Sequence, residues 1–302
     1  MSSSKLYLIV TYFNFTNSKR NKERIKTFLE ESVKYPNVEL VLSEGIFSDV
    51  EPLPDFSSSI YKHLKYNYTS KIWIKENLIN LAISTLPEDW EFVSWIDKDI
   101  SFENKDWAEK TIKLLGEKGI VQPWSSCIFL DAEGEPDVKA HEYFKNIKFN
   151  RGFLEDGIGS YCGRKNKGLD GHPGQCWAIN KKTYLKIGKL MDICIVGGGD
   201  GAIYTALNNN FNTKLYDVYG CEIYDYILNF MGVKLGYLDE KITHSYHGDI
   251  SDRQYTDRLK ILSQHGFNPR TDIGYTQEGL IYLENKELEN SILDYFYSRN
   301  EP

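Results

Sequence analysis

Leu6-Tyr-Leu-Ile-Val-Thr-Tyr-Phe13 is a continuous apolar and β-branched run, the pattern of a strand buried on both faces. Asn14 to Ser18 is polar. From Asn21 to Lys34 apolar residues then recur at helical spacing through Ile25, Phe28, Leu29 and Val33. Val38 to Leu42 predicts a second strand, ending near Glu44 and Gly45. Strand, helix and strand in that order open a parallel sheet. Residues 48 to 59, with Asp49, Pro52, Pro54, Asp55 and Ser57 to Ser59, predict a loop. Further along, Lys71 to Ser84 predicts a helix, Glu91 to Ile96 a strand, Asn104 to Leu115 a helix, and Gly119 to Pro123 a strand.

The rhythm breaks between residues 132 and 174. Gly134, Gly152, Gly157, Gly159, Gly163, Gly168, Gly171 and Gly174 fall there among scattered charges. A long glycine-rich stretch inside a compact domain is more often a functional loop than idle linker, so a mobile active-site cover is expected. Gln175 to Ile187 predicts a strand followed by a helix. Ile193 to Val196 is an apolar run entering Gly197-Gly-Gly-Asp200 and another helix. The last fifty residues are expected to be mainly helix and tail, with the apolar stripe of Leu283 to Tyr297 packing on the body. The fold class expected is α/β, and 302 residues can bury the core of one large α/β domain or of one and a half smaller ones.

Composition changes this picture little. Aromatic residues reach 14%, and 21 tyrosines with six tryptophans provide rings able to stack on sugar faces as well as to fill a core. A net charge of −7 argues against a nucleic-acid partner, which calls for a basic stripe. An acidic protein handling an anionic substrate needs local positive charge from a metal ion or from placed Arg and Lys. The five cysteines include no Cys-x-x-Cys pair and read as reduced thiols of a cytoplasmic protein. Ser2-Ser3-Ser4-Lys5 runs straight into the first strand, and no apolar stretch nears the ~20 residues of a membrane helix, so a soluble chain without a leader is expected.

Three constellations carry chemistry. Asp97-Lys98-Asp99 closes the apolar run of Glu91 to Ile96, and strand alternation would point both carboxylates to one side with Lys98 opposite. Two hard oxygen ligands at the carboxyl end of a central strand suit Mg²⁺ or Mn²⁺ and, through it, a diphosphate. An isolated Asp-x-Asp also occurs in solvated turns and helix caps. In Gly197-Gly-Gly-Asp200 the glycines permit a tight backbone path that presents Asp200 at a helix start, where it would equally serve as an N-cap. The third is His244-Ser-Tyr-His247-Gly248 with Arg253 and Arg258. The two imidazoles face opposite ways if extended, Gly248 lets backbone approach a phosphate, and the arginines could neutralise one; a surface His pair on an ordinary charged helix fits as well.

Haloacid-dehalogenase-type phosphatases resemble parts of this scheme, with a strand ending in Asp-x-Asp and a later apolar segment running into Gly-Asp. Two strands precede Asp97 here, however, and Ala202 to Thr205 offer no second acid after Asp200.

Taken in order, the segments resemble glycosyltransferases of the GT-A fold, close to family 2. The matching stretches are Val10 to Asn14, Asn77 to Trp90, Phe92 to Asp99, Val121 to Trp124, His172 to Ile179, Gly197 to Asp200, His247-Gly248, Arg253 to Tyr255 and Arg258. They span roughly residues 5 to 273. The resemblance implies a Rossmann-like three-layer fold with a mostly parallel central sheet. A nucleotide-binding half over about 1–125 and an acceptor half over about 126–273 would be followed by a helical tail over 274–302.

It also implies roles. Asp97, Asp99 and His247 would hold Mn²⁺ or Mg²⁺, and Tyr12, Phe13, Asn14 and Glu44 would hold the base and ribose. Lys75 or Asn80 would add a donor contact, beside Lys98, Gly248, Arg253 and Arg258. His172, Gly174, Trp177 and Gly199 would line the sugar and acceptor side. Asp200 would be the general base of an inverting transfer, with Gly199 standing where relatives usually carry Glu. The expected donor is a nucleotide diphosphate sugar, UDP-sugar by preference, and the acceptor a glycan, glycoconjugate or protein. A non-catalytic sugar-binding relict is the remaining alternative.

Overall fold

The computed structural model describes residues 4–138, 172–246, 248 and 258–299. Its centre is a seven-stranded sheet. In chain order the contributing strands are β1 (Leu6–Phe13), β2 (Val38–Ile46), β3 (Lys62–Asn67) and β4 (Phe92–Ile96), then β6 (Ile120–Gln122), β8 (Cys176–Asn180) and β9 (Leu235–Tyr237). Across the sheet the order is β3-β2-β1-β4-β8-β6-β9. β1 pairs parallel with β2 and β4, β2 pairs parallel with β3, and β6 pairs parallel with β9. β8 alone runs antiparallel, to both β4 and β6. The sheet is thus mostly parallel, as expected, with one reversed strand inside it, next to β4.

Helices and loops cover both faces. Leu6, Leu8 and Val10 of β1 share one apolar cluster with Ile25, Phe28 and Leu29 of α1 (Lys19–Ser32) and Trp107 and Ala108 of α3 (Trp107–Leu115). Ile9 faces the other way, into a cluster with Leu78, Ile79 and Ala82 of α2 (Lys75–Ser84). Alternation along a strand buried on both sides produces these two cores, hence three layers. The second cluster continues through α4 (Lys181–Ile187), α5 (Gly199–Leu207), α6 (Tyr216–Tyr219), α7 (Cys221–Phe230) and α8 (Arg258–Gln264). After the short α9 (Pro269–Asp272), it ends on α10 (Lys286–Ser298), whose Leu288, Ile292, Tyr295 and Phe296 are buried, so the tail stripe packs on the body as its periodicity predicts.

Short strands that the apolar pattern did not reveal complete the fold. β5 (Ile100–Phe102), β7 (Ser126–Phe129) and β10 (Lys241–His244) form a second sheet in the order β5-β10-β7. β11 (Ile273–Tyr275) and β12 (Ile281–Leu283) form a hairpin in the region read as helix and tail. Three or four residues are too few to display a period. β3 was hidden differently: Lys-His-Leu-Lys-Tyr-Asn is an edge strand, and charged side chains along an edge discourage pairing with another chain.

The hairpin matters to the site because it seals α2. Asn77 donates to Asp192 Oδ2 and to the Gly279 carbonyl, both at 3.1 Å, and accepts from the Tyr68 hydroxyl and the Ile281 amide. With the sheet beneath it and these segments over it, α2 is buried almost all round, Lys75 and Glu76 included. Among the described residues no helix is long and apolar enough to cross a membrane.

Candidate active site

β4 stops at Ile96, and Asp97-Lys98-Asp99 is a turn into β5 rather than an extension of the strand. The Ile100 amide donates to the Asp97 carbonyl at 3.3 Å, closing that turn. Strand alternation therefore does not govern the two carboxylates, and each is held from a different element. The Asp97 amide donates to the Gln175 carbonyl at 2.8 Å, prolonging the β4–β8 ladder by one bond. Its carboxylate oxygen Oδ1 lies 2.6 Å from the Lys75 ammonium at the start of α2.

Lys75 also lies 3.5 Å from Asp200 Oδ2. Its side chain is 8% exposed, against 31% for Asp97 and 26% for Asp200, so the ammonium is sealed while both carboxylates reach solvent. Burial disfavours its charge, but Asp200, Asp97 and Glu76 together outweigh burial and hold the pKa of Lys75 well above its ordinary value. Asp200 is pushed the same way by its own burial; Lys75 opposes the rise and Asp97 adds to it.

Asp200 occupies the first turn of α5, entered through Gly197 and Gly198 at φ +82° and +101°, a left-handed path that glycine adopts without strain. The Arg258 guanidinium covers that path: a Cβ on Gly197 or Gly198 would stand 3.2 or 3.1 Å from its terminal nitrogens. From the other side comes Gly174, where an added Cβ would meet Asp200 Oδ2 at 3.2 Å and the His172 ring at 2.8 Å. His172 Nδ1 accepts from the Gly174 amide at 3.0 Å, which fixes that ring beside the base candidate. Asp97, Lys75, Asp200, Gly174, His172 and Arg258 thus gather around the carboxyl end of β4, where an open α/β sheet binds ligands.

Other expected site residues stand elsewhere. Trp177 is fully buried in the core, and its indole N–H holds the Pro173 carbonyl at 2.6 Å, so it supports the His172–Gly174 segment from below rather than lining it. Asn80 ties α2 to Leu190 through both backbone groups, at 2.9 Å each. Glu44 is 1% exposed; it accepts from the Leu53 amide at 2.7 Å and lies 2.8 Å from His63 Nε2. Tyr12 is buried, with its hydroxyl accepting from Asn14, whose side chain also holds the Ser18 amide. Phe13 and Asn14 do line a cavity of 160 Å³ at the carboxyl end of β1, together with Phe15, Thr16, Trp73 and Phe296. Lys98 is half-buried in the turn. Gly248 takes φ +101°. His247, Arg253 and most of the glycine-rich stretch lie outside the described residues, as does Cys162; the other four cysteines are free thiols.

Asp99 finds its partner in the second sheet. β10 pairs His244 with Ile100, the Ser245 amide donates to the Asp99 carbonyl at 2.8 Å, and His244 Nε2 lies 3.6 Å from Asp99 Oδ2. The carboxylate is a donor type that suits Mn²⁺, whereas imidazole is more typical of Zn, Cu, Fe and Ni. Among the described residues, however, no group of three or more His, Cys, Asp and Glu is arranged to hold a metal ion, and Asp97 is engaged by Lys75. The described side chains do not by themselves build the expected centre.

No sequence motif marks Trp73 or Glu76. The burial of α2 brings Glu76 to the site, and Trp73, just before that helix, is joined to it by its indole N–H.

No family model matches the chain, and no curated protein sequence does either. Among solved structures, the chain is similar to a mannosyltransferase from Pyrobaculum calidifontis in complex with GDP-Man and Mn²⁺ (13% identity, TM-score 0.46, 87% of this chain and 63% of that one). It is likewise similar to S. aureus TarS 1–349 in complex with UDP-GlcNAc (12%, 0.47, 98% and 72%). A third is the catalytic domain of Drosophila β1,4-galactosyltransferase 7 with xylobiose (9%, 0.42, 97% and 98%). The chain spans less than two thirds of the mannosyltransferase's own length.

Proposed function

We propose that this protein is an inverting glycosyltransferase, moving a sugar from a nucleotide diphosphate sugar to an acceptor hydroxyl. The observation that carries the reading is the sealed Lys75 ammonium bridging Asp97, which ends β4, and Asp200, which opens α5. A recessed carboxylate with raised proton affinity is suited to take a hydroxyl proton, and Asp200 is that group. His172 and Gly174 border it where the acceptor would stand. As the acceptor oxygen attacks the anomeric carbon, the bond to the diphosphate breaks on the opposite face, inverting that centre. Negative charge then grows on the leaving diphosphate, and Lys75 and Arg258 are cations of the chain itself at this site, able to offset it without reorganising. The aromatic cavity beside β1 suits the base, uracil by preference.

Mn²⁺ or Mg²⁺ would be held by Asp99 and the expected ligand His247 acting together, and would supply further positive charge beside the diphosphate. A thermal-shift panel of UDP-, GDP- and other nucleotide sugars, each with and without Mn²⁺, tests the proposal. Stabilisation by one nucleotide family supports it, and dependence on Mn²⁺ decides the metal. No stabilisation by any of them, with turnover of simple phosphomonoesters instead, would overturn it in favour of a phosphatase.

A further inference from the structure

The centre contains a carboxyl group that the proposed reaction leaves unused. Glu76 follows Lys75 on α2 and is 4% exposed. Its Oε2 accepts from the Trp73 indole N–H at 3.1 Å. Its other oxygen lies against the first residue of α5: a Cβ on Gly199 would stand 2.1 Å from Glu76 Oε1 and 2.4 Å from its Cδ. A side chain at position 199 would therefore force Glu76, which fills that space from a neighbouring helix, to move. The turn of α5 that presents Asp200 is seated directly on this carboxyl group.

We propose that Glu76 is a positioning residue for Asp200: it seats the first turn of α5 through Gly199 and, kept neutral, adds no further negative charge where the diphosphate leaves. The inference rests on the reading of Asp200 as the base. Charge balance supports it. Three carboxyl groups, Asp97, Asp200 and Glu76, surround one sealed ammonium, Lys75. The charge of Glu76 in turn bears on Cys194, Tyr219 and Tyr226, all pushed upward by burial and so neutral, while Arg258 acts on Cys194, Tyr219 and Asp200 from over the Gly197–Gly198 path. Ionising all three carboxyls leaves buried negative charge in excess. Glu76 is the least exposed of them; burial raises its pKa to about 8, Lys75 opposes the rise, and Asp200 and Asp97 add to it. Above that pH, an ionised Glu76 would add buried negative charge opposing the charge that grows on the leaving diphosphate.

The test uses the full chain and two readouts. The first needs no activity. A carboxyl raised from 4.5 to about 8 on folding contributes its full share of stability below 4.5, and that share is lost as pH rises toward 8. Glu76→Gln has no such loss, so its Tm relative to wild type should climb steadily from pH 5 to pH 8 and then level. A constant difference over that range overturns the proposal whatever the enzyme does. The second readout is nucleoside diphosphate release from the donor found in the thermal-shift panel. Wild-type kcat should fall at least fivefold between pH 7.5 and 9, and in Glu76→Gln that alkaline limb should move up by at least one pH unit. Glu76→Ala should lose at least tenfold in kcat with little change in donor KM, and Gln should recover most of it over Ala. An unmoved limb, or a loss confined to KM, would refute the positioning role. A wild type that turns over no nucleotide sugar sinks the transferase reading instead, and the Tm series still decides whether Glu76 holds a proton.

Discussion

Lys75 Nζ stands 2.6 Å from Asp97 Oδ1, joining the start of α2 to the end of β4 through a buried ammonium. Removing that ammonium strands two carboxylates. Lys75→Met should destabilise the fold by about 3 kcal/mol, the low end for breaking a buried pair because Asp97 and Asp200 keep some solvent. Urea unfolding measures this, and donor-induced stabilisation should be lost in the same variant.

The two aspartates should separate by role. Asp200→Asn is expected to lower turnover by ~10²–10⁴-fold while donor binding persists, since only the proton acceptor is removed. Asp97→Asn takes away the principal partner of Lys75 and should lose donor binding as well as turnover. Calorimetric titration of the donor beside single-turnover kinetics distinguishes them. An Asp200→Asn enzyme near the wild-type rate would move the base elsewhere.

Two glycines of one helix make a matched control. Gly199→Ala forces a methyl group onto Glu76 and should cost roughly 1–3 kcal/mol, as overpacking does. Gly201 has nothing within 4 Å of an added Cβ, and Ala there should stabilise the helix by roughly 0.5–1 kcal/mol. Denaturant midpoints for the pair give the sign directly.

Phe296 tests the docking of α10. Its ring stacks on Trp73 at 6.0 Å and meets Phe15 edge-on at 5.2 Å, and Trp73 in turn bonds Glu76. Phe296→Ala should cost about 3 kcal/mol in unfolding free energy, the scale of a truncated core aromatic. Its denaturant slope should stay near that of wild type, as a helix packed into one shared core requires.

Much of the frame was legible along the chain. Leu6 to Phe13, Val38 to Leu42 and Glu91 to Ile96 are long apolar runs, and each became a central strand, because a strand buried on both faces has no polar side to disguise it. Asp97 and Asp200 stood out since each closes an apolar run and lies next to a backbone change, a turn in one case and a glycine path in the other. Asn80, Glu44 and Trp177 are residue types that suit a binding site, yet their polar atoms are taken up by Leu190, by Leu53 and His63, and by Pro173. Side-chain type alone does not disclose that a partner awaits.

By itself, then, the order of residues determined which segments are strands and helices of the central layers and which acids end them, because local periodicity and turn chemistry act over a few neighbours. Tertiary structure alone decided that Lys75 meets Asp97 and Asp200, that His244 faces Asp99, and that Glu76 fills the room beside Gly199. Those pairings join residues far apart in the chain. Those of Lys75 and Glu76 arise only when α2 is sealed between the sheet and the β11–β12 hairpin, where burial raises the strength of every charge contact, and that of His244 only when β10 pairs with β5.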